Sequence, residues 1–282
     1  MGVLNATPDS FSDGGRYHQL DAALAQGRAL IAAGADILDV GGESTRPGSR
    51  PPDEEEELRR TIPLIEALRA ETDTPVSIDT RRPGVARAAV RAGAAIWNDV
   101  SGLSERGALE TAASLNCGVV ITHMRGDPAT MQVAPRYGDV VDEVLDALNA
   151  RAAAALAAGV PEDGIYIDPG VGFGKTLAHN LELLRALDRF AAGRWPVVLG
   201  ASRKSFILGL DPGAVDPLDR LGGSIAVALA GARAGCRIVR VHDVRETAQA
   251  LKVDAAIGAP RPVRGAPHAP PARRSRVRPA RG

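Results

Sequence analysis

Asp79, Asn98 and Asp168 each close a short run of β-branched and aliphatic residues. Two acids and an amide aimed at one space would suit a flat heterocycle rich in N–H donors, such as a guanidine-like ring edge, because carboxylates accept hydrogen bonds and an amide does both. Each also precedes a loop or a helix, where short polar side chains cap helix N-termini. Ligand contact is the preferred reading for these three, and capping is preferred for their neighbour Asp99. A second set is cationic: Arg46, Lys204, Arg240 and His242. Cations that converge with glycine-rich loops point to a phosphate or diphosphate. In Arg240-Val241-His242 the spacing of two puts the arginine and the histidine on one face of an extended segment.

These groups act together only if the fold gathers them. Eight runs read as strands: Met1–Asn5, Asp36–Val40, Pro75–Asp79, Ala95–Asn98, Gly118–His123, Gly164–Asp168, Pro196–Gly200 and Arg237–Val241. Between and after them lie helical patterns, among them Asp21–Ala33, Glu54–Ala70, Asp139–Ala158, Leu177–Arg189, Asp219–Ala234 and Asp243–Ile257. Strand–helix alternation implies parallel strands with helical crossovers. Eight units within residues 1–257 match the size of a closed barrel. The expected fold class is therefore α/β, a single (β/α)8 TIM barrel on 1–257 with a disordered C-terminal tail on 258–282. An open doubly wound sheet is the alternative, and eight strands would be many for it. Barrel chemistry sits at the C-terminal ends of strands, and each predicted end here carries a polar or ionisable group, from Asn5 on strand one to His242 and Asp243 after strand eight. A barrel built for stability alone has no use for such a ring, since buried polar groups without partners are costly. Strand one starts at Met1, so either the start is late or the cover that usually precedes a first barrel strand is missing.

Composition narrows the classes. With 282 residues, 45% hydrophobic, the chain can bury a large core. Thirty-one glycines and 3% aromatics suit a tightly turned α/β protein. No apolar run approaches the roughly 20 residues of a membrane span, and MGVLNATPDS lacks the features of a signal peptide, so a cytoplasmic protein is expected. Cys117 and Cys236 read as small buried side chains, and their spacing supports neither a zinc site nor a disulfide framework. The net charge of zero hides a tail, Gly258–Gly282, with seven arginines, six prolines and no acid. Setting those arginines aside leaves 27 basic against 34 acidic residues, a body of −7. The tail lacks apolar periodicity and reads as disordered, a solvated extension rather than a nucleic-acid arm. The segment Gly170-Val171-Gly172-Phe173-Gly174-Lys175-Thr176 imitates a phosphate-binding P-loop, but Pro169 stands where the first glycine is needed. Its glycines also miss the dinucleotide spacing, so it reads as a flexible loop where backbone approaches ligand.

At these residues a family resemblance becomes specific. Gly2–Gly15 (GVLNATPDSFSDGG) and Gly41–Gly48 (GGESTRPG) resemble the two signatures of dihydropteroate synthases. The segments SIDT (77–80), NDVSG (98–102), DPGVGFGK (168–175), SRKS (202–205) and RVHDV (240–244) follow in family order, and the similarity covers roughly residues 1–257. Ala6, where a larger residue such as valine is usual, and the absence of a hairpin before strand one depart from the pattern.

The resemblance implies a soluble enzyme, a target of sulfonamides, that joins a dihydropterin methyl diphosphate to p-aminobenzoate, with Mg2+ as cofactor and a homodimer as assembly; no membrane or nucleic-acid partner is expected. By resemblance, Asn5 would bind Mg2+ with the substrate diphosphate. Asp79, Asn98, Asp168 and Lys204 would bind the pterin, and Arg240 and His242 the diphosphate, with Thr45 near it. Thr45, Arg46, Pro47, Phe173, Ser202 and Lys204 would surround p-aminobenzoate. Arg46, Asp79, Asp168, Lys204, Arg240 and His242 form the expected catalytic set. The loops at 7–15 and 44–50 would close over the site. Two competing readings share the barrel. A pterin-binding methyltransferase module would have no use for the cations, and a non-catalytic paralogue would be expected to lose loop motifs that are complete here.

Overall fold

A computed structural model describes residues 1–6, 16–42, 52–126 and 130–258. The loop readings at 7–15 and 44–50 and most of the tail reading lie outside these residues, as do Thr45, Arg46 and Pro47.

Among the described residues there are eight parallel strands: β1 (Gly2–Asn5), β2 (Leu38–Gly41), β3 (Val76–Asp79), β4 (Ile96–Asp99), β5 (Gly118–Thr122), β6 (Ile165–Asp168), β7 (Val198–Gly200) and β8 (Ile238–Arg240). β1 to β6 form one sheet in sequence order, and β7 pairs with β8. Two bridges, Ile167 with Val197 and Gly2 with Val241, join the pieces. The hydrogen bonds Val3 N to Val241 O (2.9 Å) and Val241 N to Met1 O (2.9 Å) close the ring. The expected (β/α)8 barrel is the observed one.

Around it lie α1 (Arg16–Ala32), α2 (Glu54–Glu71), α3 (Pro83–Arg91), α4 (Ala108–Leu115), α5 (Val140–Ala158), α6 (Leu177–Arg185), α7 (Leu187–Ala191), α8 (Leu221–Ala234) and α9 (Val244–Gly258). Caps explain several starts: Asp53 accepts from Glu56 N ahead of α2, and Asp139 accepts from Val141 N and Asp142 N ahead of α5. The stretch expected as one helix over 177–189 breaks at Ala186, whose N–H is shared between Glu182 O and Leu183 O, both at 3.2 Å. The helix expected from Asp219 starts at Leu221, because Asp216 and Pro217 set up a 3₁₀ turn first. Among the described residues, no helix is long and apolar enough to cross a membrane.

Alternation along each strand sorts the side chains. Leu4, Leu38, Val40, Val76, Ile78 and Trp97 are fully buried toward the helices. Each large aliphatic side chain so buried is worth about 1.5–3 kcal/mol. Their neighbours face into the barrel, and the upper inward layer runs Asn5, Gly41, Asp79 and Asn98 in direct register. The apolar outer shell holds the strands in place, and the polar inner layer at their C-terminal ends forms the site.

Candidate active site

On one side of the barrel mouth the charges are joined directly. Arg240 Nε donates to Asp39 Oδ2 at 2.5 Å and Arg240 Nη2 to Asp79 Oδ2 at 2.6 Å. Asn98 Nδ2 donates to the same Asp39 oxygen at 3.2 Å. Burial works against the guanidinium charge, but Asp39 and Asp79 outweigh it and hold Arg240 above its ordinary pKa. A half-buried cation keeps its charge when carboxylates contact it directly. Arg240, expected as a diphosphate ligand, therefore also ties β8 to β2 and β3.

The other side is arranged differently. Asp168 accepts from Gly170 N at 2.7 Å and from Gly200 N at 3.2 Å. Gly200 permits this approach, since a Cβ there would lie 3.2 Å from Asp168 Oδ2. Burial raises the Asp168 pKa, partly offset by Lys204, the Gly170 N–H and Arg240. Lys204 Nζ donates to Val171 O and sits 3.9 Å from the centre of the Phe173 ring, a cation–π contact. Burial pulls the Lys204 pKa down to about 8, against the attraction of Asp168. The predicted pterin set Asp79, Asn98, Asp168 and Lys204 thus shares one mouth with Phe173 and Arg240.

His242 follows β8. Its backbone N–H donates to Ser202 Oγ at 3.2 Å, and its ring Nδ1 lies 3.1 Å from the same hydroxyl. Ser202, expected beside p-aminobenzoate, is buried and engaged with His242. Asn5 ends β1, separated from Asp79 by Gly41. A Cβ on Gly41 would stand 3.8 Å from both Asn5 Oδ1 and Asp79 Oδ2, so the glycine keeps open the space between an amide oxygen and a carboxylate. Oxygen donors beside such a space suit a hard divalent cation.

The sequence profile of the pterin binding enzyme family matches residues 1–242. The chain belongs to the pterin-binding enzyme family. The dihydropteroate synthase of Escherichia coli (strain K12) is 47% identical over 253 residues, 90% of this chain and 89% of that protein. The structure of Xanthomonas albilineans dihydropteroate synthase with 4-aminobenzoic acid matches with a TM-score of 0.86 and 49% identity, over 92% of this chain and 93% of that one. The same organism's enzyme in complex with 7,8-dihydropteroate gives a TM-score of 0.83 and 46% identity, over 92% and 94%.

In this pterin-binding enzyme three placements differ from the sequence reading. Asp39, absent from the expected site residues, belongs to the charged group; its one signal in the sequence is an acid inside the apolar run Ile37-Leu38-Asp39-Val40. Asp99 caps a turn rather than a helix, accepting from Ser101 N and Oγ, both at 2.7 Å, and from Leu103 N at 2.9 Å; the next helix begins only at Ala108. The 170–176 segment is packed against protein. Gly170, Gly172 and Gly174 all have positive φ, and a Cβ on Gly170 would fall 1.9 Å from His123 O. These glycines let backbone meet backbone.

Proposed function

We propose that this chain is a dihydropteroate synthase, a transferase of folate biosynthesis. It would condense (7,8-dihydropterin-6-yl)methyl diphosphate with p-aminobenzoate to give 7,8-dihydropteroate and diphosphate. The observation that carries the reading is a single barrel mouth holding Asp79, Asn98, Asp168 and Lys204 next to Arg240 and His242, in a chain 47% identical to the Escherichia coli dihydropteroate synthase.

The pterin lies between the two sides. Asp79 and Asp168 accept from its ring N–H groups, Asn98 adds an amide, and Lys204 donates to a ring acceptor. Arg240 and His242 face the diphosphate, with Thr45 near it as its motif implies. The C–O bond to diphosphate breaks with its electron pair leaving on the diphosphate oxygen. The pterin methylene becomes cationic, and the fixed negative charge of Asp79 and Asp168 stabilises it. The aniline nitrogen supplies the pair for the new C–N bond and sheds one proton. Phe173, Lys204 and Ser202 form the p-aminobenzoate side, to which the motif adds Thr45, Arg46 and Pro47. The loops at 7–15 and 44–50 would exclude water, which would otherwise capture the cation.

Asn5 would hold Mg2+ through its amide oxygen, beside the space that Gly41 leaves open. The ion, when bound, would supply positive charge to the leaving diphosphate. Water and phosphate oxygens complete such a shell. A cytoplasmic homodimer carried on residues 1–257 accompanies this reading.

The test is diphosphate release from purified protein given the dihydropterin diphosphate and Mg2+. Release that rises with added p-aminobenzoate is expected. Folded protein whose release ignores p-aminobenzoate would overturn the assignment.

A further inference from the structure

We infer that Lys175 is a positioning residue for the arylamine half of the reaction: it locks the β6–α6 loop onto the end of β5 and so fixes Phe173 beside Lys204. The inference rests on the dihydropteroate synthase reading and extends it to a residue outside the site described above.

Lys175 is 3% exposed. Its Nζ lies 3.0 Å from His123 Nδ1, 3.2 Å from His123 O, 3.0 Å from Gly170 O and 3.0 Å from Phe173 O. Among the described residues no carboxylate forms an ion pair with it. An amine buried without a contacting counter-ion is costly to charge: burial, with Lys204 nearby, pulls Lys175 down to about 7, and its hydrogen bonds to the surrounding acceptors are what hold it in place. The acceptors come from two segments, the end of β5 and both halves of the β6–α6 loop. Four acceptors face at most three N–H protons, so without the amine three carbonyls and a ring nitrogen would crowd one another. Burial, reinforced by Lys175 and Arg125, pushes His123 down to about 3, which leaves the ring neutral and Nδ1 able to accept.

Neighbouring contacts point the same way. Tyr137 Oη donates to Gly174 O at 2.9 Å and Gln132 Nε2 to Gly172 O at 2.7 Å. Asn180 Oδ1 accepts from Gly172 N at 2.7 Å. Lys175 grips the backbone carbonyl of Phe173, and the Phe173 ring meets Lys204. Lys175 therefore acts on the reaction through Phe173.

Steady-state kinetics with both substrates varied, on wild type, Lys175→Met and Tyr137→Phe, test this. Lys175→Met should raise KM for p-aminobenzoate about tenfold or more while KM for the dihydropterin diphosphate stays within about threefold. Tyr137→Phe should move the p-aminobenzoate KM in the same direction, about threefold, as expected for one neutral hydrogen bond. A merely structural lysine would raise both KM values together or lower only the melting temperature, and that result overturns the inference. Should Lys175→Met fail to fold, Tyr137→Phe decides, and an unchanged p-aminobenzoate KM in that variant refutes the coupling. Wild-type protein without p-aminobenzoate-dependent release would strike the functional reading itself, and this inference with it.

Discussion

Arg240 and Lys204 are both half-buried cations in one barrel mouth, and the two sides of the mouth accommodate them by opposite means. Around Arg240, Asp39 and Asp79 bond directly to the guanidinium, and Asn98 ties into the same carboxylate. Around Lys204, a carbonyl and an aromatic face make the contacts, while Asp168 is satisfied by the N–H groups of Gly170 and Gly200. Direct pairing locks a charge in place. Separation in a low-dielectric interior leaves each group's protonation sensitive to its surroundings. The first side thus supplies fixed charge and shape, and the second supplies Lys204, whose charge can change near working pH.

The largest expected effect is on the locked side. Arg240→Met would leave Asp39 and Asp79 facing one another without their cation. Breaking a buried pair from one partner costs about 3–5 kcal/mol, so urea unfolding should show a loss of that order and turnover should fall below detection. A variant as stable as wild type would mean that the arginine does not hold these strands together.

Asp79→Asn is a gentler cut, since Asp39 still holds Arg240. Hydrogen bonds to charged groups contribute about 1.5–3 kcal/mol, so calorimetry should find pterin affinity lowered about 10–100-fold with the barrel intact by circular dichroism. Unchanged affinity would remove Asp79 from the pterin site.

The pH profile separates the two sides. Lys204, lowered to about 8 chiefly by burial, is charged below that pH and neutral above it. The activity that needs the ammonium should fall about tenfold per unit as pH rises beyond about 8. Arg240, held above its ordinary value, contributes no such limb. Lys204→Arg should shift the alkaline limb upward, because arginine stays charged. An alkaline limb that is unmoved in this variant would assign it to another group. At the acid end, Asp168 is raised by burial, so its limb should lie above the usual carboxylate range, with activity falling as pH drops through it.

The smallest effect expected is at the aromatic face. Phe173→Leu removes a cation–π contact worth about 0.5–2 kcal/mol. The KM for p-aminobenzoate should rise a few-fold, and the alkaline limb should move to lower pH because the ammonium loses a stabilising partner. A limb that moves upward would contradict the contact.

Much of this was legible in the sequence where local rules decide. The apolar runs put Asp79, Asn98 and Asp168 at strand ends: Asp79 and Asp168 close β3 and β6, and Asn98 lies one residue before the end of β4. The helical patterns located α2 and α5 to within a residue at each end. Closure also followed from counting eight strands. What was not legible depends on contacts across the barrel. Arg240 and Asp39 are 201 positions apart, and nothing local marks an aspartate inside an apolar strand as the partner of a distant arginine. Lys175 was hidden for a similar reason: its glycine-rich setting suggests an open loop, and only the fold brings His123 over it. Thr45, Arg46 and Pro47 lie outside the described residues and keep the roles that their motif implies.

The central claim is that this mouth passes a pterin methylene cation to an arylamine and not to water. Mass-resolved product analysis of one reaction, with dihydropterin diphosphate, p-aminobenzoate and Mg2+, tests it most directly. One 7,8-dihydropteroate for each diphosphate released is the predicted result. Release matched by the hydroxymethyl pterin, or no release from folded protein that binds the pterin, would contradict it.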